Sequence, residues 1–153
     1  MYFSTQYHPF FNKTNIVNFL HINYSEIQRM FTLRDRCVVQ LVNGRSQGDL
    51  RSSTHSIRFE DLIPVMVRAR SLRTKDLIVK VHNHSKEKGI YYVENAYKNS
   101  NYQVTIDGED HSCTCQDFKT MNSYINTTPK MPCKHILATR NFLNNYGSLI
   151  KVK

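Results

Sequence analysis

Three cysteines and one histidine form two short pairs, Cys113 with Cys115 and Cys133 with His135, in the pattern C-x-C-x17-C-x-H. Three thiolates and one imidazole make a complete tetrahedral ligand set for zinc and leave no coordination position open for a substrate. We therefore expect one structural Zn²⁺ bound by these four side chains. Structural zinc supplies about 10–16 kcal/mol of apparent folding free energy in small peptides, so this pattern constrains the fold more than any other feature.

The spacing within each pair predicts the backbone around it. In an extended chain, residues i and i+2 point the same way, so Cys113 and Cys115 can bind one ion from a strand. Inside a helix, the same spacing turns the side chains about 200° apart. Cys133 and His135 can therefore share a metal only where a helix begins, and Pro132 restricts the approach to that first turn.

The elements around the two pairs are predicted by the hydrophobic pattern. Ile90–Tyr97 and Tyr102–Ile106 are rich in Ile, Val and Tyr, and the turn-forming cluster Lys98–Asn101 lies between them, which predicts an antiparallel hairpin. Cys133–Asn145 gathers its apolar residues on one side, as a helix does. The intervening Gln116–Pro132 is rich in Asn, Thr and Lys, and we expect it to be a long loop closed by the metal.

These features together resemble the SWIM zinc finger family, found in Swi/Snf ATPases, Mutator-type transposases and recombination accessory proteins. The resemblance covers about Tyr91 to Asn145 and includes the run Cys115–Phe118 and the run Pro132–Ala138. It implies the same four ligands and a hairpin-plus-helix zinc module, which we place at residues 88–147. It also implies a module that binds DNA or a protein partner within nucleic-acid machinery, and it says nothing about Met1–Lys88.

Two further residues, Cys37 and His111, are of types that can bind a metal, but other interpretations apply to them. Cys37 lies beside Val38 and Val39, and we expect it to be a small buried hydrophobic residue. His111 lies two residues before Cys113 and could compete as a ligand, but it would make five candidates for four positions. The alternative to a metal site is that the three cysteines Cys113, Cys115 and Cys133 are incidental core residues and that His135 is a surface histidine.

The charge balance favours a polyanionic partner. The 153 residues include 21 Lys plus Arg against 12 Asp plus Glu, a net charge of +9. Each phosphate that such a chain neutralises releases condensed counterions, although surplus charge can also serve solubility alone. Nine of the ten arginines lie between Arg29 and Arg73, so we assign residues 1–80 to a separate, arginine-rich region of mixed helix and strand. The expected fold class is α+β.

The chain offers no sign of membrane insertion or export. Its longest apolar stretch, Leu62–Val67, is interrupted by Pro64 and is far shorter than the roughly 20 residues that span a membrane. Met1–Lys13 does not place basic residues ahead of an apolar run, as a secretory signal would. We expect a cytoplasmic protein, or one of the nucleoid or nucleus, whose thiols stay reduced.

The first region carries a weaker resemblance to bacterial helix-turn-helix domains. Thr14–Leu20 predicts one short helix, and an S-x-x-Q capping box at Ser25 predicts a second, with apolar residues at the spacing of that motif. On this interpretation Gln28 and Arg29 are groove contacts, and Arg34 and Arg36 are phosphate contacts. The alternative is an ordinary pair of packed helices.

The rest of the first region combines a strand, a loop and a helix. Cys37–Val42 is β-branched and predicts a strand, and Ile57–Leu72 predicts a helix with acids early and arginines late. Gly44–Ser56 is expected to be a polar loop in which Arg45 and Arg51 contact phosphates.

These observations predict a zinc-binding accessory factor that binds nucleic acid, DNA in particular, in replication, recombination or transposition. The alternative is a protein-interaction adaptor that docks through tyrosines such as Tyr91, Tyr92 and Tyr97. We expect no enzyme, because the chain has no phosphate loop and no H-E-x-x-H motif. Gly44–Gly48 matches the hydrolase pattern G-x-S-x-G, but the residues after it do not predict a packed helix.

Overall fold

The computed structural model describes residues 10–33, 35–43, 51–85, 88–124 and 128–146. Within these ranges the helices are α1 (Lys13–Leu20), α2 (Phe59–Ser71), α3 (Gln116–Tyr124) and α4 (Lys134–Tyr146), with 3-10 turns at Tyr24–Glu26 and Leu72–Thr74. The strands are β1 (Ile27–Thr32), β2 (Arg36–Asn43), β3 (Arg51–Arg58), β4 (Leu77–His84), β5 (Lys88–Asn95), β6 (Lys98–Asp107) and β7 (Asp110–Cys113). Helices beside antiparallel sheets confirm the α+β class.

The chain divides into two compact units, Met1–Met66 and Val67–Lys153. The predicted division into an arginine-rich region at residues 1–80 and a zinc module at residues 88–147 stays a prediction. Strand β4 begins at Leu77, within the first predicted region, and pairs with β5 of the second predicted region. No helix in the described ranges combines the length and apolar composition that crossing a membrane requires.

The first unit contains an antiparallel sheet in the order β1-β2-β3. Because side chains alternate along a strand, Cys37, Val39 and Leu41 share one face of β2, and all three are buried. In the helices of this unit, Ile16, Phe59, Leu62 and Met66 are buried as well. Burial of each large apolar side chain contributes about 1.5–3 kcal/mol, so these residues stabilise the first unit.

The second helix of the helix-turn-helix interpretation is wrong. The backbone N–H of Asn23 donates to the Glu26 carboxylate, and this contact closes only a single 3-10 turn. From Ile27 onward the chain is strand β1, paired with β2 through Met30 opposite Val39 and neighbouring pairs. Ladder hydrogen bonds to a β-branched partner outweigh the local capping signal here.

The predicted loop at Gly44–Ser56 is wrong in its second part. Residues 51–58 form β3, which pairs with all eight residues of β2, and Gly44–Leu50 lie outside the described residues. Ser52, Thr54 and Ser56 of β3 face outward, and Ile57 faces the core. Its polar composition is that of a strand with one solvent-facing side.

The second unit contains an antiparallel sheet in the order β4-β5-β6-β7. Tyr91, Val93 and Val104 on one face are fully buried, and α4 packs across all four strands. The predicted hairpin is confirmed as β5 and β6, although its turn is Ala96-Tyr97. Asn95 fixes the turn there, because its Oδ1 accepts from the backbone N–H groups of Tyr97 (2.9 Å) and Lys98 (3.0 Å).

Candidate metal centre

The first ligand pair is positioned by β7 and its connection to α3. Cys113 ends β7, and Cys115 immediately precedes α3. Thr114 between them is bound to β6 twice: its backbone N–H donates to the Gln103 carbonyl, and its hydroxyl accepts from the Gln103 N–H, both at 3.0 Å. This residue extends the sheet past the end of β7, so the two cysteines project together, as their spacing predicts.

The second pair is positioned by the start of α4. The helix begins at Lys134, and the carbonyl of Cys133 accepts the first helical hydrogen bond, from the Leu137 N–H at 3.1 Å. Cys133 is therefore the N-cap, and His135 is the second helical residue. The prediction that a helix begins between these two ligands is confirmed.

The four ligand atoms converge at zinc-binding distances. The three sulfurs and one imidazole nitrogen all lie within 4.8 Å of one another. His135 Nδ1 lies 3.8 Å from the Sγ atoms of both Cys113 and Cys133. A tetrahedral ion with Zn–S of about 2.3 Å and Zn–N of about 2.1 Å requires a sulfur-to-nitrogen distance of about 3.6 Å. The donor set therefore fits zinc in type, number and spacing.

Burial of the cluster makes a cation necessary for full ionisation. All four ligand residues are between 0% and 6% exposed. Hydrogen bonds from Cys113 and then Cys133 lower the pKa of the Cys115 thiol. Hydrogen bonding to Cys115 raises the pKa of Cys113, and hydrogen bonding to Cys113 and then Cys115 raises the pKa of Cys133. One thiolate thus forms at the expense of the other two. A bound Zn²⁺ removes this competition because it deprotonates coordinating thiols outright.

Backbone donors already favour negative charge at the centre. The Phe118 N–H donates to Cys115 Sγ at 3.4 Å, and the Cys115 N–H donates to Cys113 Sγ at 3.5 Å. The first of these donors belongs to the amino-terminal turn of α3, where unpaired N–H groups and the helix dipole stabilise anions.

Two side chains that the sequence did not point to hold the ligands in place. Asn122 in α3 donates to the Met131 carbonyl at 3.1 Å and accepts from the Met131 N–H at 2.9 Å, two residues before Cys133. The Tyr102 ring packs on the His135 ring with centroids 4.5 Å apart. An asparagine in a polar segment carries no sequence signal for such a role.

His111 lies outside the four-residue ligand cluster and ties the segment between the ligand pairs to strand β7. Its Nε2 lies 2.7 Å from the Lys130 carbonyl, and its Nδ1 lies 3.1 Å from Arg140 Nη2. Since Arg140 can only donate, Nδ1 accepts and the proton is on Nε2, which donates to Lys130. Burial lowers the pKa of this histidine, in keeping with a neutral ring.

The expectation of a loop over Gln116–Pro132 is wrong in its first half, which forms α3. Phe118 and Met121 are buried one turn apart on this helix, a spacing that could have revealed it. The prediction for Cys37 is confirmed. It is fully buried in β2 of the first unit, where burial raises its thiol pKa to about 11.

The structure changes the setting of the predicted nucleic-acid contacts. Gln28 and Arg29 are exposed on strand β1 and not on a recognition helix. Arg36 begins β2, and its Nη2 lies 2.9 Å from the neighbouring Asp35 carboxylate. Arg51 begins β3, but its side chain is outside the described part of the chain. Arg34 and Arg45 are also outside the described residues.

Comparison with known families adds an independent line of evidence. Residues 102–125 match the family model of the SWIM zinc finger. The matched segment includes the first ligand pair, and the structure brings the second pair, Cys133 and His135, to the same point. Comparisons with curated proteins and with solved structures gave no match. The second unit therefore carries a SWIM zinc finger that binds one zinc ion through Cys113, Cys115, Cys133 and His135.

Proposed function

We propose that this protein binds nucleic acid, DNA in particular, as an accessory factor in replication, recombination or transposition, with no enzymatic activity of its own. The zinc centre has a structural part in this proposal. Four protein ligands fill a tetrahedral ion, so the metal offers no position at which a substrate or water could be activated.

The observation that carries the proposal is uncompensated basic charge around the zinc finger. Lys119 is exposed on the first turn of α3, Lys130 is exposed before the second ligand pair, and Lys134 begins α4. None of these three lysines forms an ion pair with another residue in the described ranges. Lysines without an ion-pair partner favour contacts with phosphates. The net charge of +9 adds a long-range attraction toward a polyanion such as nucleic acid.

The first unit contributes through strand residues in this proposal. Without a recognition helix at Gln28 and Arg29, contacts by Arg29 and Arg36 would be to phosphates and would not depend on base sequence. We therefore expect weak sequence preference and a strong dependence of affinity on salt.

A salt titration of the zinc-loaded protein with labelled DNA tests the proposal. The logarithm of the association constant should fall linearly with the logarithm of salt concentration, with a slope of about −0.9 for each phosphate contacted on duplex DNA. Lys119→Glu and Lys134→Glu should each weaken binding. Each should also make the slope less negative by about 0.9, the value of one phosphate contact. Lys98→Glu, the same charge change at the start of β6, is the matched control. Absence of binding at low ionic strength would overturn the proposal.

A protein-interaction adaptor is the second candidate, favoured by Tyr97, which is 83% exposed at the tip of the hairpin. The other two tyrosines in that interpretation are less available. Tyr91 is fully buried, and Tyr92 is only partly exposed. The adaptor predicts that Tyr97→Ser abolishes a partner contact and leaves DNA affinity of the purified protein unchanged.

A further inference from the structure

The sheet of the first unit has an unusual charge composition. Its strands, Ile27–Thr32, Arg36–Asn43 and Arg51–Arg58, contain four arginines and no aspartate or glutamate. A solvent-exposed sheet surface stays soluble when it carries charges of both signs. The sheet of the second unit is of this kind, because Lys80 on β4 forms an ion pair with Glu94 on β5. The one-sided charge of the first sheet indicates an anionic ligand.

The strand register places the relevant side chains on one face. Phe31 lies opposite Val38, and Val38 lies opposite Ser56. Two residues away on the same face, Arg29 lies opposite Gln40, and Gln40 lies opposite Thr54. At the other end, Arg36 lies opposite Arg58. This face is the reverse of the one that carries the buried residues Cys37, Val39 and Leu41, since side chains alternate along β2.

An aromatic ring is exposed in the middle of this face. Phe31 is 56% exposed although it lies within a strand, between the row of Arg29 and the row of Arg36 and Arg58. An exposed aromatic ring with cationic groups on either side is the arrangement on which unpaired bases stack while their phosphates are neutralised. Bases within a duplex are stacked on each other and do not offer a free face to such a ring.

The carboxylates near this face do not cancel its charge. Arg36 and Arg58 pair with Asp35 and Asp61, which lie outside the strands, and both arginine side chains remain 44% or more exposed. Ion pairs this exposed contribute little, about 0–1 kcal/mol. A phosphate can therefore replace either carboxylate, and Arg29 has no ion-pair partner among the described residues.

We propose that this outward face of β1, β2 and β3 binds single-stranded DNA, with a base stacked on Phe31 and phosphates contacted by Arg29, Arg36 and Arg58. This inference rests on the proposed function and narrows it to one class of DNA and one surface. The hydroxyls of Ser52, Thr54 and Ser56 are exposed along the same face and supply further polar contacts.

A fluorescence experiment observes the stacking directly. The chain contains no tryptophan, so Phe31→Trp introduces a single reporter. Addition of a twelve-nucleotide oligodeoxythymidylate to the zinc-loaded variant should quench its emission, because a stacked base lies against the indole. Tyr97→Trp is the matched control in the second unit, and its emission should not change. Equal quenching of the two reporters, or quenching of neither while DNA binds, would overturn the inference.

Affinity measurements with the same oligomer give a second, independent test. Phe31→Ala should weaken binding by about 5- to 150-fold, the cost of one lost stack, and Phe31→Tyr should restore it. Arg29→Gln should reduce the salt slope by about 0.7, the value of one phosphate contact on a single strand. A self-complementary duplex of the same length should bind less tightly than the single strand.

The outcomes separate this inference from the proposed function. If the parent protein binds no DNA at low salt, the proposed function is wrong and the inference with it. If the parent binds DNA, but Phe31→Ala binds as the parent does or the duplex binds more tightly, only the inference is wrong.

Discussion

Asn122 offers the sharpest test of how the protein positions its second ligand pair. Its amide donates to the carbonyls of Phe118 (2.9 Å) and Met131 (3.1 Å) and accepts from the Met131 N–H (2.9 Å). Met131 is itself buried and lies two residues before Cys133. Asn122→Ala therefore removes three hydrogen bonds and leaves the backbone polar groups of Met131 without these partners.

The size of the effect can be worked out from those contacts. Three hydrogen bonds at a net of about 1 kcal/mol each give about 3 kcal/mol of lost stability. Because zinc binding and folding are coupled in small metal-binding modules, much of this loss should reduce zinc affinity. A change of about 1.4 kcal/mol alters an equilibrium constant tenfold. If the full amount of about 3 kcal/mol appears in zinc binding, zinc affinity should fall by about 150-fold, and if about half of it does, zinc affinity should fall by about tenfold.

Competition with a chromogenic chelator measures this change in zinc affinity, and urea unfolding of the zinc-loaded protein measures the change in stability. Asn99→Ala, an exposed asparagine on β6, is the matched control and should leave both quantities unchanged. If Asn122→Ala matches the parent in both assays, the segment before Cys133 is held by something other than Asn122, and our account of its positioning fails.

Three more measurements test contacts within the second unit. Metal analysis should find one zinc per chain in the parent and none in Cys133→Ser, and a full zinc content in that variant would show that the ligand assignment is wrong. Gly89→Ala should cost about 1–3 kcal/mol in thermal unfolding, because a Cβ there would overlap the fully buried Tyr91 ring. In a protein that already carries Tyr91→Val, the same glycine substitution should cost nothing further. Thr114→Val should cost about 0.5–1.5 kcal/mol by urea unfolding, because it removes the hydroxyl that accepts from the exposed Gln103 N–H, and an unchanged midpoint would argue against that anchor.

The zinc centre was the most predictable part of the molecule. Four ligands, an extended first pair and a helix that begins at the second pair are all consequences of tetrahedral coordination and the direction of side chains, which depend on spacing alone. Asn122 could not be found in the same way. Its contacts depend on where α3 ends up relative to Met131, and that placement is a property of the packed unit.

The first unit was harder because its local signals conflict with its pairing. The segment from Ser25 to Gln28 looks like a helix start, yet Ile27 and Met30 satisfy their backbone groups in a sheet with β2. Likewise, the serine-rich β3 looks like a loop until its neighbour supplies a partner for each residue. In both cases the deciding contact is with another strand, which single-sequence propensity does not contain.

The depth of the zinc ligands has a consequence for how fast the metal can leave. A chelator cannot reach an ion enclosed by side chains of which at most 6% is accessible, so the surrounding structure must open first. Release should therefore proceed at a rate set by that opening, and the rate should stop rising once chelator is in excess. Zinc in this protein would then persist through brief exposure to strong competitors, however favourable the final exchange.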